Sequence, residues 1–294
     1  MIAYINTIDS RLRADKPVAM KFKLSVASLI WLGCVLLTHA QDVSPVQSAA
    51  RPYDLNIVAP VDVAGSDAAA RNFQTNVLPG LLATVKQKLP EYQGHSVANL
   101  ATLASGAAML HLSSDSTARV YFLTEGAGYQ NTLGISTTGG GPLSPDAALI
   151  FPNASSTTGF GGSGSLVRTA TEPLAPGDFV NLGAIKAGTS LDFFLIAYGA
   201  TGGKDFYSTN SSLNQDGLIH AVTMAANGST YLIIGFEDMK GGGDRDFNDV
   251  VIAVEITPSI VPHIAGIGAP EPSLATGALV TCLALLGFTR RRRH

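Results

Sequence analysis

Hydrophobic positions along this chain fall into short runs broken by glycine, proline, asparagine and serine, with one helical exception. Between Asp67 and Leu89, Val77, Leu78, Leu81, Leu82, Val85 and Leu89 recur at helical spacing; Pro79-Gly80 interrupts the run and Pro90 stops it. That pattern predicts two short helices, or one broken helix. From Ala107 onward the runs are strand-like: Met109 to Leu112, Arg119 to Leu123, Ala147 to Phe151, Leu191 to Ala197, Leu218 to Met224, Tyr231 to Phe236 and Val250 to Glu255. Short strands divided by glycine-rich turns predict an all-β domain, a β-sandwich or jelly-roll-like fold, behind a short helical lead-in. Strands apolar on both faces, such as Tyr231 to Phe236, belong in the middle of a sheet. The Gly/Ser/Thr-rich span Thr137 to Gly164 is expected to be a long mobile loop holding one strand.

Both ends depart from this pattern. Lys21 and Lys23 precede the apolar run Leu24 to Leu37, which closes on Thr38-His39-Ala40, the order of a secretory signal peptide cleaved after Ala40. Met20 is an alternative start to Met1, and Leu32-Gly33-Cys34 leaves a lipidated cysteine as a rival reading. At the other end, Pro270-Glu271-Pro272-Ser273 is followed by the apolar Leu274 to Phe288 and then by Arg290 to Arg293. An apolar span backed by arginines fits a membrane segment with a cytoplasmic flank, short against the roughly 20 residues a bilayer core wants. These boundaries give an N-terminal extension and signal peptide (1–40), a linker and helical lead-in (41–106), a β-sandwich domain (107–257), a second linker (258–269) and a tail (270–294). Helices are expected in the signal peptide and the apolar tail.

Trimming the ends changes the charge. Of the 19 Lys and Arg residues, nine lie before Gln41 or in the arginine cluster, against Asp9 and Asp15 there; residues 41–289 keep 10 basic and 20 acidic residues, a net charge of −10. An acidic body argues against nucleic acid and anionic lipid and suits cation binding. Both cysteines, Cys34 and Cys282, lie in the end segments, so the body has no disulfide, zinc thiolate or cysteine nucleophile.

Acidity concentrates in Gly235-Phe236-Glu237-Asp238-Met239-Lys240-Gly241-Gly242-Gly243-Asp244-Arg245-Asp246-Phe247-Asn248-Asp249. Crowded carboxylates repel unless a cation or basic groups compensate, and Lys240 and Arg245 are the basic residues close by in sequence. Asp244, Asp246 and Asn248 alternate like the first three ligands of an EF-hand, but Asp249 stands where its glycine belongs and no glutamate occupies the twelfth position. Two readings follow. Asp244, Asp246 and Asn248 bind one structural calcium ion, with Glu237, Asp238 or Asp249 completing the shell, or these residues form a turn between strands. Asn214, Asp216 and Glu125 are further oxygen donors or turn residues. His220 reads as a strand histidine, and His95 and His111 lack metal-ligand spacing. The body holds no Gly-x-Ser-x-Gly, His-Glu-x-x-His or Walker-type loop.

The tail Pro270-Glu271-Pro272, apolar span and arginines resembles the PEP-CTERM sorting signal of Gram-negative bacteria, with Ala269 where the family usually has valine. The resemblance implies export, a precursor held in the inner membrane through residues 274–288, removal of the tail by an exosortase-type protease, and a setting in bacteria that make exopolysaccharide. A single-pass anchor is the alternative. Thr124 to Gly134, Ile150 to Ser155, Ala187-Gly188-Thr189 with Asp192 to Leu195, and the acidic loop together resemble the bacterial extracellular domain of unknown function 4114 across roughly Ala107 to Ile256. That implies an exported all-β domain found in surface or matrix proteins, without an established enzymatic activity. A noncatalytic, calcium-stabilised surface or matrix protein associated with exopolysaccharide is therefore expected. The alternative is a carbohydrate-binding module or glycan-active enzyme using acids such as Glu237 and Asp246. Trp31, the chain's only tryptophan, lies in the signal peptide, so stacking on sugars would fall to tyrosine or phenylalanine.

Overall fold

The computed structural model describes residues 47–94, 110–162, 164, 167–225 and 230–258. The expected signal peptide with its Ala40 site, the Pro270-Glu271-Pro272 motif, the apolar tail and His95 lie outside the described residues. Among the described residues no helix is long and apolar enough to cross a membrane.

Two antiparallel sheets pack face to face. The strands are β1 (Leu110–His111), β2 (Ser116–Thr124), β3 (Thr132–Ser136), β4 (Ala148–Phe151), β5 (Phe179–Ile185), β6 (Ser190–Ile196), β7 (Phe206–Ser208), β8 (Ala221–Ala225), β9 (Tyr231–Phe236) and β10 (Val250–Thr257). One sheet runs β4-β3-β6, with β1 and β7 both pairing β6; the other runs β5-β2-β10-β9-β8. Leu133, Ile135, Phe193 and Leu195 from the first sheet meet Val120, Phe122, Ile234, Ile252 and Val254 from the second in one buried core. The all-β sandwich expected from the short apolar runs is the fold observed.

The second sheet is apolar on its outer face too, because helices cover it. Helix α1 (Ala68–Asn72) continues through a π turn (Phe73–Val77) into α2 (Leu78–Lys88). Pro79 has no N–H to continue the ladder, and the chain passes it through the π turn, so the predicted break is a change of helical pitch. Ala70, Phe73, Leu78 and Val85 pack on Tyr121, Leu123, Ile233, Val251 and Ala253. The Phe73 and Tyr121 rings stack with centroids 3.7 Å apart. Asp67 caps α1 by accepting the Ala70 N–H at 2.6 Å and pairs with Arg119 of β2 at 2.8 Å, which fixes the helices to the sheet. Strand β9 lies between β10 and β8, inside the sheet as its two apolar faces require.

Three strands have no counterpart among the runs picked out by hydrophobicity: β3, β5 and β7. Strand β3 is interrupted by Gly134, whose missing side chain makes room for the Phe194 ring. Strand β5 carries exposed Asn181 and Gly183, and β7 is three residues long. The span 137–164 contains β4 as expected. Its opening turn is tied down by Asp146, which accepts from the Thr137 N–H at 2.6 Å and from the hydroxyls of Ser136, Thr138 and Ser144.

Residues 47–64, linker-like in composition, run as a strap along the sandwich edge. The Val58 N–H donates to Leu149 O of β4 at 2.8 Å, and Asp62 and Phe179 of β5 exchange backbone bonds at 2.8 and 3.0 Å. One strand edge of each sheet is thereby occupied in part.

Candidate functional site

The β9–β10 connection, residues 237–249, turns back at the end of the second sheet. Gly241, Gly242 and Gly243 all have positive φ, and so do Arg245 (63°) and Phe247 (57°). A left-handed conformation is unfavourable for residues with a Cβ, and such strain gathers at functional positions. Here it alternates with ordinary residues, so that Asp244, Asp246 and Asn248 follow one another through short turns. The Asp246 N–H points at Asp244 Oδ1 (3.4 Å) and the Asn248 N–H at Asp246 Oδ1 (3.3 Å). Phe247 anchors the turn in a small apolar cluster with Leu89 and Val222.

Glu237, Asp244 and Asp246 bring carboxylate oxygens within 4.8 Å of one another, and Glu237, Asp238 and Asp249 do the same. Glu237 belongs to both groups. Glu237, Asp238, Asp246 and Asn248 are buried, Asp249 is partly buried and Asp244 is exposed. The structure thus brings the five acids picked out in the loop into two groups joined by Glu237, and the Asn248 side chain contacts one of them, Asp246. A Cβ on Gly243 would collide with Glu237 Oε1, so glycine is required where the loop passes that carboxylate.

Backbone amides satisfy part of this charge. The Asp238 N–H donates to Asp249 Oδ2 at 2.7 Å, the Arg245 N–H to Glu237 Oε2 at 3.1 Å and the Tyr92 N–H to Asp246 Oδ2 at 2.9 Å. The Asn131 side chain donates to Asp238 Oδ2 at 2.7 Å. Basic side chains do not. The ion pairs among the described residues join Arg119 to Asp67, Arg168 to Asp178, Lys186 to Asp115 and His220 to Asp216, and none of them includes a carboxylate of residues 237–249. Burial first, and then the charges of Asp238 and Glu237, push Asp249 up to about 9. Burial, Asp244 and Asp238 push Glu237 up to about 7, and burial raises Asp238 and Asp246 as well. Without a cation, the folded loop disfavours its own ionisation.

Two further acids approach from elsewhere in the chain. Glu91, just beyond α2, points its Oε1 at Gly126 beside Asn248 Oδ1, in space that a side chain at 126 would fill. Burial raises its pKa, and Asp246 and Asp244 raise it further. Glu125 is buried and pushed up to about 8, chiefly by burial, while accepting the Ser156 N–H at 3.0 Å. No spacing in the sequence ties Glu91 or Asn131 to the loop; the hints are that Glu91 follows the proline that stops the predicted helix and that Asn131 lies in the segment Thr124 to Gly134 singled out by resemblance.

The remaining candidates serve the fold. Asp216 accepts from the N–H groups of Leu218 and Gly241 and pairs with His220 at 3.0 Å. Asn214 accepts the Ser208 N–H and donates to Leu218 O. His220 is fully buried, just ahead of β8, and stacks on Tyr207. His111 is exposed on β1 beside Ser190.

No curated protein and no solved structure matches this chain. A family match begins at the end of β5, so the resembling segments at 124–134 and 150–155 lie outside it. From residue 185 to 257, which takes in the whole acidic loop and the strands on either side of it, the chain matches the family described as Domain of unknown function (DUF4114).

Proposed function

We propose that this chain is an exported, noncatalytic protein of the bacterial cell surface or extracellular matrix, with a β-sandwich stabilised by calcium held in residues 237–249. The observation that carries the proposal is the pair of carboxylate groups sharing Glu237, largely buried and without a basic partner among the described ion pairs. Calcium takes six to eight oxygens in adaptable geometry, which suits an irregular set of carboxylates and one amide better than the strict octahedron of magnesium. Asp244, Asp246, Asn248 and Glu237 would hold the ion, with Asp238 or Asp249 completing the shell. Its effect would be to offset carboxylate repulsion and to tie the end of β9 to the start of β10. Acids that converge on each other, rather than flanking a cleft, favour a structural role over glycoside hydrolysis. Export, tail removal by an exosortase-type protease and association with exopolysaccharide rest on the signal-peptide and PEP-CTERM patterns, the acidic body and the cysteine-free body.

Thermal melts of the full chain test the calcium reading. Binding to the native state alone stabilises by about 2.7 kcal/mol at a hundredfold excess over Kd. Calcium is expected to raise the melting temperature, EDTA to lower it and Asp246→Ala to remove the difference. An unchanged melt in EDTA, with no binding heat at millimolar calcium, would leave the loop as a turn.

A further inference from the structure

Beside the acidic loop lies an open groove of about 310 Å³ lined by Tyr129, Tyr198, Lys204, Asp205, Tyr207 and Lys240, among others. The Tyr129 and Tyr198 rings stack with centroids 3.8 Å apart and planes 27° from parallel, and Tyr198 remains 47% exposed. Tyr198 also holds a left-handed backbone, φ 54°. The turn around it is closely fixed. Its carbonyl accepts the N–H groups of Thr201 (3.0 Å) and Gly203 (2.9 Å), and its own N–H donates to Asn131 Oδ1 at 3.3 Å. The stack on Tyr129 offsets part of the strain in that backbone, and the half of the Tyr198 ring left toward water stands as a preformed contact surface.

The chemistry of the lining identifies the occupant. Stacked rings cover each other's facing surfaces, so the pair presents a single outward ring face, half-exposed on Tyr198 and backed by Tyr129, rather than the separated ridges that grip a proline-rich peptide. Around that face stand Lys204, Asp205 and Lys240, all exposed, offering hydrogen-bond donors and acceptors side by side. A pyranose ring matches both features, with an apolar C–H face for the tyrosines and a rim of hydroxyls for the charged groups. We propose that this groove binds a chain of hexopyranose units, one ring seated on the outward face of Tyr198, which Tyr129 backs, and its hydroxyls held by Lys204, Asp205 and Lys240. Neutral and uronic-acid polymers share this ring chemistry, and the two lysines accommodate the carboxylate of the latter.

Calorimetric titration of the full chain with cellohexaose, laminarihexaose and chitohexaose, and with oligomers of alginate and hyaluronan, separates the neutral from the acidic source. At least one is expected to bind. Tyr198→Gly is the informative variant, since glycine accepts φ 54° without strain and only the ring is lost. Its melting temperature should stay near that of the unsubstituted chain while affinity falls at least tenfold; Tyr129→Ala should weaken binding similarly, and Leu143→Ala, exposed elsewhere, should not. Titrations run in calcium and again in EDTA keep a failure of the cation site distinct from a failure of the groove. Binding by none of the glycans, affinity surviving both tyrosine substitutions within twofold, or Tyr198-dependent binding of a polyproline decamer in place of any glycan would overturn the proposal.

Discussion

Two groups of buried carboxylates in this molecule are solved in opposite ways. Asp178, fully buried, is surrounded by donors: the Arg168 guanidinium, the Ala64 N–H at 2.9 Å and the Ala175 N–H at 2.8 Å. Asp192, equally buried, accepts from the hydroxyls of Ser208 and Thr209 and from the Gly141 N–H. The acids of residues 237–249 instead face one another. Asp178 and Asp192 show what the fold does with a carboxylate it uses as a staple. The loop departs from that rule, and the departure, more than composition, motivates the calcium proposal.

The largest effect should come from breaking a staple. Arg168→Met strands Asp178 in the interior, and removing one partner of a buried pair costs about 3–5 kcal/mol. Urea melts should show that loss equally with calcium and with EDTA. A calcium-dependent loss would place Asp178 in the same class as the loop.

Neutral isosteres should then act with opposite sign in the two groups. Asp178→Asn removes the charge that Arg168 needs and should destabilise under all conditions. Asp246→Asn relieves repulsion from Asp244, so in EDTA the chain should melt at or above the unsubstituted temperature, while the gain on adding calcium disappears. If both substitutions destabilise alike in EDTA, the loop acids are staples too.

The remaining effect is a slope with pH, spread over several units. Asp249, Glu237 and Glu125 have folded pKa values pushed up to about 9, 7 and 8, in each case chiefly by burial. Above their unfolded values near 4, the unfolded chain binds fewer protons than the folded one, so stability falls as pH rises through the folded values. In EDTA the melting temperature should decline between pH 5 and 9. Calcium, which binds the ionised form, should flatten or invert that decline. A profile that is flat in EDTA would mean the loop carries little of the repulsion its geometry implies.

Much of the sandwich could be read directly from the chain, because strands buried on both faces, such as Tyr231–Phe236 and Val250–Thr257, are written as continuous apolar runs. Strand β5 is harder to read: Val180 and Leu182 face the core in alternation with outward Asn181 and Gly183, but a glycine inside so short a run reads as a break. The strap was silent: its hold on Leu149 and Phe179 is made by backbone groups, which every residue carries. In the loop the acids were visible, but not which of them converge. Glu91 reaches them only because α2 ends beside β8 and β9, through the Leu89, Val222 and Phe247 cluster. Asn131 illustrates the same point. One amide holds both Asp238 and the Tyr198 turn, and only the fold brings those two within its reach.

Strands β2 and β10 are neighbours at the middle of the second sheet, yet they come from opposite ends of the domain, 116–124 and 250–257. Pairings of such long sequence separation form slowly, since a large loop must close before any contact rewards it. A growing or partly threaded chain lacks the strand that completes this sheet until about 130 residues beyond β2 have emerged, an interval on the order of ten seconds at ordinary rates of synthesis. Until then β2 has no central partner and the helices have no finished surface to cover. The order of the strands therefore acts as a timer, keeping the polypeptide pliable while it is short and committing it to structure only when Val250–Thr257 arrives.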